Sequence, residues 1–202
     1  MLSENTSGHE RRRYELSQGT TGWVEVICGC MFAGKSEEML RRLRRVTIAK
    51  QEILLVKPKI DDRYSETEVV SHSGFRMKAC SIPGSDPWEI VKVWLEVGKP
   101  PVVGIDEGQF FQDLPEVVER IASDGSRVIV AGLDLDYLGR PFLAPSVLSM
   151  AEDVTKLTAV CMTCGGPASR TQRLTGGDAL IEVGGEGQYE ARCRAHWTGV
   201  HG

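Results

Sequence analysis

Eight consecutive residues, Gly29, Cys30, Met31, Phe32, Ala33, Gly34, Lys35 and Ser36, fit the spacing G-x-x-x-x-G-K-S. Before them runs the apolar stretch "WVEVIC", and after them an amphipathic stretch begins at Lys35. Glycines let the backbone curl so that successive N–H groups face one point, and the start of a helix adds the positive end of its dipole there. Lys35 contributes a mobile charge and Ser36 a hydroxyl for Mg²⁺. The chemistry is that of a cradle for a nucleotide triphosphate tail. A second set closes the apolar run "VVGID" with Asp106 and Glu107. In a parallel sheet this strand ends at the same edge as the phosphate loop, where Asp106 can hold Mg²⁺ and Glu107 can act as general base. Side chains alternate along a strand, so both acids reach one site only if the strand ends or bends between them. The third set is Cys161, Cys164, Cys193 and His196, a C-x-x-C pair followed after 28 residues by a C-x-x-H pair. Two thiolates on one turn, with a thiolate and an imidazole on another, make a closed tetrahedral Zn²⁺ site, hence a structural one.

These residues need a frame to hold them. Strand-length apolar runs at Trp23 to Cys28, Glu52 to Lys57, Val102 to Asp106 and Arg127 to Asp134 alternate with helical patterns from Lys35 to about Lys50, Asp86 to Val97 and Leu114 to Asp124. That alternation predicts an α/β core with parallel strands. Met39, Leu40, Leu43 and Val46 share one side of the first helix, and Arg41, Arg42, Arg44 and Arg45 read as its solvated face. Residues 61–80 are polar with scattered Gly and read as a loop or hairpin. From about Val154 hairpin punctuation replaces helical period, which sets an expected boundary near Ala151. The expected organisation is a polar flexible head at 1–21, a P-loop α/β domain at 22–151 and a metal ribbon at 152–202. Such a short ribbon has little apolar surface, so the ion must supply folding energy. Cys28, Cys30 and Cys80 read as small core residues, and His72 and His201 have no partners by spacing.

With 202 residues the chain has room for one sizeable core plus an appendage, and a formal net charge of −4 gives no general attraction to nucleic acid or anionic membrane. No apolar run is long enough to span a bilayer, so the expected location is the cytoplasm.

In order, "GCMFAGKS", "DDRY", "SHSG", "DEGQFF", "GLDLDYLGRPF", "VTKLTAVCMTCG", "TQR" and "EVGGEGQYEARCRAH" resemble the zinc-containing, cytosolic-type thymidine kinases, from Trp23 to Trp197. The resemblance implies a RecA-like P-loop core with a parallel sheet and a small C-terminal zinc-binding β-ribbon with a lasso loop. It also implies transfer of the γ-phosphoryl group of ATP to the 5′-hydroxyl of thymidine, with Mg²⁺, a homotetramer and feedback inhibition by thymidine triphosphate. By that resemblance Gly29 to Ser36 bind ATP phosphates, together with Arg63 and the stretch Asp106, Glu107, Gly108 and Gln109. Asp106 serves Mg²⁺ and Glu107 takes the proton. The lasso "LIEVGGEGQY" grips the base at Val183, Gly184, Gly185 and Tyr189. Met31, Leu133, Thr171 and Tyr189 surround the 5-methyl group, and Phe110, Tyr137 and Phe142 line the base pocket. An apolar wall rewards that methyl group by about 1 to 3 kcal/mol, so deoxyuridine is expected to be the poorer substrate. Cys30 stands where the family commonly has proline, and Ala33 where it often has serine.

A rival from another class is a nucleic-acid-dependent RecA-like ATPase whose ribbon grips a single strand. It accounts for the phosphate loop and the metal ligands, but not for the acidic balance or for the few basic residues beside the ligands, Arg170, Arg173, Arg192 and Arg194. A non-catalytic, nucleotide-gated binding module is a third reading.

Overall fold

The computed structural model describes residues 22–59, 68–70, 76–174 and 187–199. The head at 1–21, Arg63, His72, Val183, Gly184, Gly185 and His201 lie outside the described residues. The elements run β1 (Trp23–Gly29), α1 (Lys35–Ile48), β2 (Ile53–Pro58), β3 (Glu68–Val70), β4 (Arg76–Lys78), β5 (Cys80–Ile82) and α2 (Trp88–Glu96). Then follow β6 (Val102–Ile105), a 3-10 turn (Gly108–Phe110), α3 (Leu114–Ser123), β7 (Arg127–Leu133), α4 (Pro145–Met150) and β8 (Asp153–Lys156). The chain closes with β9 (Ala159–Val160), β10 (Pro167–Ala168), β11 (Arg170–Arg173) and β12 (Tyr189–Arg192).

Six strands form one sheet in the order β5-β2-β6-β7-β1-β8, and every pair in it is parallel. A parallel sheet must be covered on both faces, and the alternation of side chains along β1 and β7 shows how this is done. Val24, Val26, Cys28, Val128 and Val130 face one layer, where they meet Ile90 and Trp94 of α2 and Val117, Val118 and Ile121 of α3. Ile27, Ile129 and Ala131 face the other, where they meet Met39, Leu40, Leu43 and Val46 of α1. Acidic Glu37 and Glu38 in the first turn of α1 and Arg45 in its last suit the helix dipole. Burying each of the apolar side chains of α1 is worth about 1.5–3 kcal/mol. Leu43→Ala would leave a cavity between α1 and the sheet and cost about 2–5 kcal/mol.

The described part of residues 61–80 includes the antiparallel pair β3 and β4, with Val69 buried against the α1 layer. The sheet also continues past the change of texture near Ala151, because Asp153 to Lys156 pair with Glu25 to Cys28. Beyond it, β9 pairs with β10 and β11 with β12, both antiparallel.

Two sequence expectations are overturned. Cys80 is exposed on the edge strand β5 rather than in the core. Arg42 does not share the solvated face of Arg41, Arg44 and Arg45; it is 2% exposed. The reason is a carboxylate inside the sheet layer. Glu25 of β1 is fully buried, and Arg42 reaches it at 2.7 Å while also binding Glu38 at 2.8 Å and the Thr155 hydroxyl at 2.9 Å. Arg127 and the Trp23 indole complete the set on Glu25, at 2.7 and 2.9 Å. Burial pushes the Glu25 carboxyl up, but the hydrogen bond and charge of Arg127, with the charge of Arg42, bring it below its ordinary value.

Candidate functional site

β1 leads directly into the phosphate loop. Gly29 has φ 146, and a Cβ on it would lie 2.4 Å from the carbonyl oxygen of Leu157, so only glycine lets the chain leave the sheet here. Phe32 takes a left-handed φ of 64, and Gly34, at φ 80, opens α1. The first N–H groups of a helix have no intrahelical partner, and at α1 they belong to the stretch that begins Lys35-Ser36. The Lys35 ammonium donates to the Cys30 carbonyl at 2.9 Å, across the loop. Burial pushes the Cys30 thiol up, so it is an inert packing group.

β6 stops at Ile105, and the condition set by strand alternation is met by a turn of the backbone. Glu107 has φ 50 and ψ 43, a left-handed conformation that costs a non-glycine residue on the order of 1–2 kcal/mol. Asp106, 4% exposed, accepts from the Ser36 hydroxyl and from the Glu107 N–H, both at 3.0 Å onto Oδ1. A hydroxyl and a carboxylate oxygen in contact at the foot of a helix are hard donors suited to Mg²⁺. Glu107 in turn accepts from the Gln109 amide. Gly108 and Gln109 belong to the buried 3-10 turn that follows.

The other residues expected at the site, among those described, fall into four groups. Phe110 and Phe142 meet edge to face, with centroids 5.6 Å apart. The Met31 N–H donates to the Thr171 hydroxyl at 3.1 Å, which ties the phosphate loop to β11. Tyr137 and Tyr189 lie on the Arg173 guanidinium at 4.9 and 6.0 Å. Leu133 enters through its N–H, which donates to Gln109 Oε1. Sequence patterning gives no place in the site to Arg173, nor to the contact of Lys156 with buried Asp134, at 2.6 Å, beside the end of β1. Only spatial adjacency of β1, β7 and β8 reveals that pair.

In the ribbon, ligand atoms of Cys161, Cys164, Cys193 and His196 all lie within 4.8 Å of one another. The Cys164 and Cys193 sulfurs are 4.0 Å apart, and His196 Nδ1 is 4.0 Å from Cys161 Sγ and 3.1 Å from Cys193 Sγ. A tetrahedral zinc with bonds of about 2.3 Å sets its thiolates ~3.8 Å apart, so the residues fit the ion. Backbone donors, that of Cys193 first, hold the Cys161 thiol down to about 6, which favours the thiolate a metal needs. The cluster is not isolated. Cys161 and Cys193 pack with Ala159, Ala168 and Ala191 against Cys30 and Ala33 of the phosphate loop, and the Cys30 thiol donates to the Ala168 carbonyl at 3.4 Å.

A glycine loop ending a central strand, a helix start with Lys and Ser, and an acid pair beside them on a parallel sheet define a P-loop nucleotide-binding α/β protein. The family model described as thymidine kinase matches residues 22–197. The chain therefore belongs to the thymidine kinase family, whose members are nucleoside kinases. Among solved structures, domain III of the Thermotoga maritima replication initiation protein DnaA is similar over 76% of this chain and 65% of its own, at 11% identity and a TM-score of 0.42. That likeness is too slight to bear on function. Among the described residues no helix is long and apolar enough to cross a membrane.

Proposed function

We propose that the chain is an ATP-dependent thymidine kinase that makes thymidine monophosphate. The observation that carries the reading is the meeting of Ser36, Asp106 and Glu107 at the end of the phosphate loop, in a chain matched by the family from 22 to 197. The loop from Gly29 to Ser36 binds the phosphates of ATP, with Lys35 balancing their charge. Ser36 and Asp106 are the residues that would hold Mg²⁺, which when bound draws negative charge from the phosphate oxygens. An oxygen lone pair of the thymidine 5′-hydroxyl forms the new bond to the γ-phosphorus, the bond to the β-phosphate oxygen breaks, and ADP leaves with that electron pair. Glu107 accepts the hydroxyl proton. The transition state is loose, so alignment and charge balance contribute most of the acceleration.

Arg63 completes the phosphate site in this proposal, and Val183, Gly184, Gly185 and Tyr189 hold the base by main-chain groups. Phe110, Tyr137 and Phe142 wall the pocket, and Met31, Leu133 and Thr171 enclose the methyl group. The zinc is structural, the assembly a homotetramer inhibited by thymidine triphosphate, and the location the cytoplasm. The test is a nucleoside panel with ATP labelled at the γ-phosphate. Label should pass to thymidine in preference to deoxyuridine by about 10-fold or more, from the value of one methyl group. Hydrolysis that needs single-stranded DNA, with no labelled nucleoside, would replace this reading with the nucleic-acid-dependent ATPase.

A further inference from the structure

We propose that Gln109 is the positioning residue for Glu107, fixing the carboxylate where it receives the proton of the sugar hydroxyl; the inference rests on the reading of Glu107 as the base. Gln109 sits in the 3-10 turn and is 8% exposed. Its amide spans two structures. Nε2 donates to Glu107 Oε2 at 2.5 Å, and Oε1 accepts the Leu133 N–H, at the end of β7, at 3.0 Å. The orientation of such an amide is decided by chemistry. Flipped, its oxygen would face a carboxylate and its NH₂ would face an N–H, so both contacts would turn repulsive. A central strand of the sheet thereby sets the place of the Glu107 side chain, 26 residues away in sequence from Leu133.

The neighbouring glycines point the same way. A Cβ at Gly132 would lie 2.8 Å from Gln109 Oε1, so the amide rests against bare backbone of β7. A Cβ at Gly108 would lie 2.7 Å from Val130 Cγ1, so the turn itself is pressed onto the same strand. The donor is also neutral. An amide orients the carboxylate without cancelling its charge, whereas a lysine or arginine in its place would make the group a weaker base. The resemblance groups Gln109 with the nucleotide, but both polar ends of this side chain are taken by the protein.

The experiment compares Gln109→Leu and Gln109→Glu with Glu107→Gln in the full chain, assayed with thymidine and ATP at about pH 8, where facing carboxylates oppose each other. Gln109→Leu removes both contacts, while Gln109→Glu keeps the volume and the acceptor for Leu133 but loses the donor. Both should lower kcat by about 10- to 100-fold, the order expected for a misplaced catalytic group, with each KM within about threefold. Gln109→Glu with normal kcat, or a loss carried by the KM for ATP, would overturn the positioning role. Full turnover in Glu107→Gln would overturn the base assignment and this inference with it. Loss in Glu107→Gln beside normal Gln109→Glu would remove the positioning role alone. Should Leu prevent folding, Gln109→Met is the substitute, and binding of a non-hydrolysable ATP analogue certifies the fold of each variant.

Discussion

Acidic residues lie at both ends of the sheet's strands, and Glu25 of β1, near the entry end, has surroundings opposite to those of Asp106 and Glu107, which follow β6 at the exit end. At the entry end, Glu25 is fully buried between Arg42 and Arg127, and Arg42 also lies 3.7 Å from Asp153 of β8. The backbone there is regular strand. At the exit end, Asp106 and Glu107 are oriented by a hydroxyl, a backbone N–H and an amide, and the backbone is left-handed at Phe32 and Glu107. Ion pairing at one end fixes strands and helix against each other. At the other end a hydroxyl, a backbone N–H and an amide orient Asp106 and Glu107, with the Lys156–Asp134 pair at the same end. In the proposed reaction Asp106 and Glu107 serve a metal and a proton. On the proposed function, stability and chemistry are thus divided between the two ends of the strands of one sheet.

The largest test of that division is removal of zinc. The ribbon cluster consists of alanines and cysteines, far smaller than the two layers of the α/β body, and it touches the phosphate loop. A structural zinc is worth on the order of 10 kcal/mol or more to so small a unit. Chelation should therefore unfold β9 to β12 and abolish binding of an ATP analogue, while amides of β1, β7 and α1 keep slow hydrogen exchange. Equal loss of protection at Glu25 and in the ribbon would show that the two ends are not separable. Next in size is Glu107→Gln, expected to lower kcat by about 10²–10⁴ with an unchanged urea midpoint. A parallel loss of stability would mean that Glu107 belongs to the scaffold as Glu25 does.

Much of the exit edge was legible because its signals are local. The phosphate loop is one continuous octet, the metal ligands fall in two short pairs, and apolar runs bounded by turn residues marked four of the six sheet strands. The entry edge was illegible for a physical reason. Arg42 is buried only because Glu25, 17 residues earlier, and Asp153, over a hundred later, converge on it, and helix periodicity alone assigns an arginine to solvent. Cys80 reads as core because reduced cysteines are usually buried, whereas here it opens a three-residue strand at the sheet edge. β8 was hidden behind a change of composition that precedes it. The partnership of Gln109 with Leu133 depends on β6 and β7 being neighbours, which no local pattern encodes. Adjacent acids posed the question of Glu107, but only the backbone turn answered it.

Arg42→Met carries the comparison to the entry edge. Removing Arg42 leaves buried Glu25 with Arg127 and the Trp23 indole and takes a cation from beside buried Asp153, at a cost of up to about 3–5 kcal/mol. The urea midpoint should fall accordingly, with kcat of the folded protein within about twofold of normal, since catalytic geometry fixed at the other edge loses no contact. A large fall in kcat without a fall in stability would place Arg42 in the mechanism and reverse the division.

The smallest effect concerns Glu38, which lies between the solvated and buried faces of α1. Burial raises its carboxyl, but hydrogen bonds from Arg41 and Arg42 outweigh this and hold it at about 2, against an ordinary 4.5. A carboxyl with a depressed folded value stabilises the fold fully above the unfolded value, and that stability is lost as pH falls toward the folded one. Wild-type stability should therefore decline between about pH 4.5 and 2, partly through this group. Solvent reaches the partly exposed carboxylate, so its share is about 1–2 kcal/mol rather than the full linkage value. In Glu38→Gln the decline over that interval should be shallower by this amount. Protonation of the zinc ligands affects both proteins alike and cancels in the difference, while Glu25 leaves a residual slope in each. Identical slopes would mean that the Arg42 pairing is satisfied by Glu25 alone, and the entry network would then be smaller than its geometry implies.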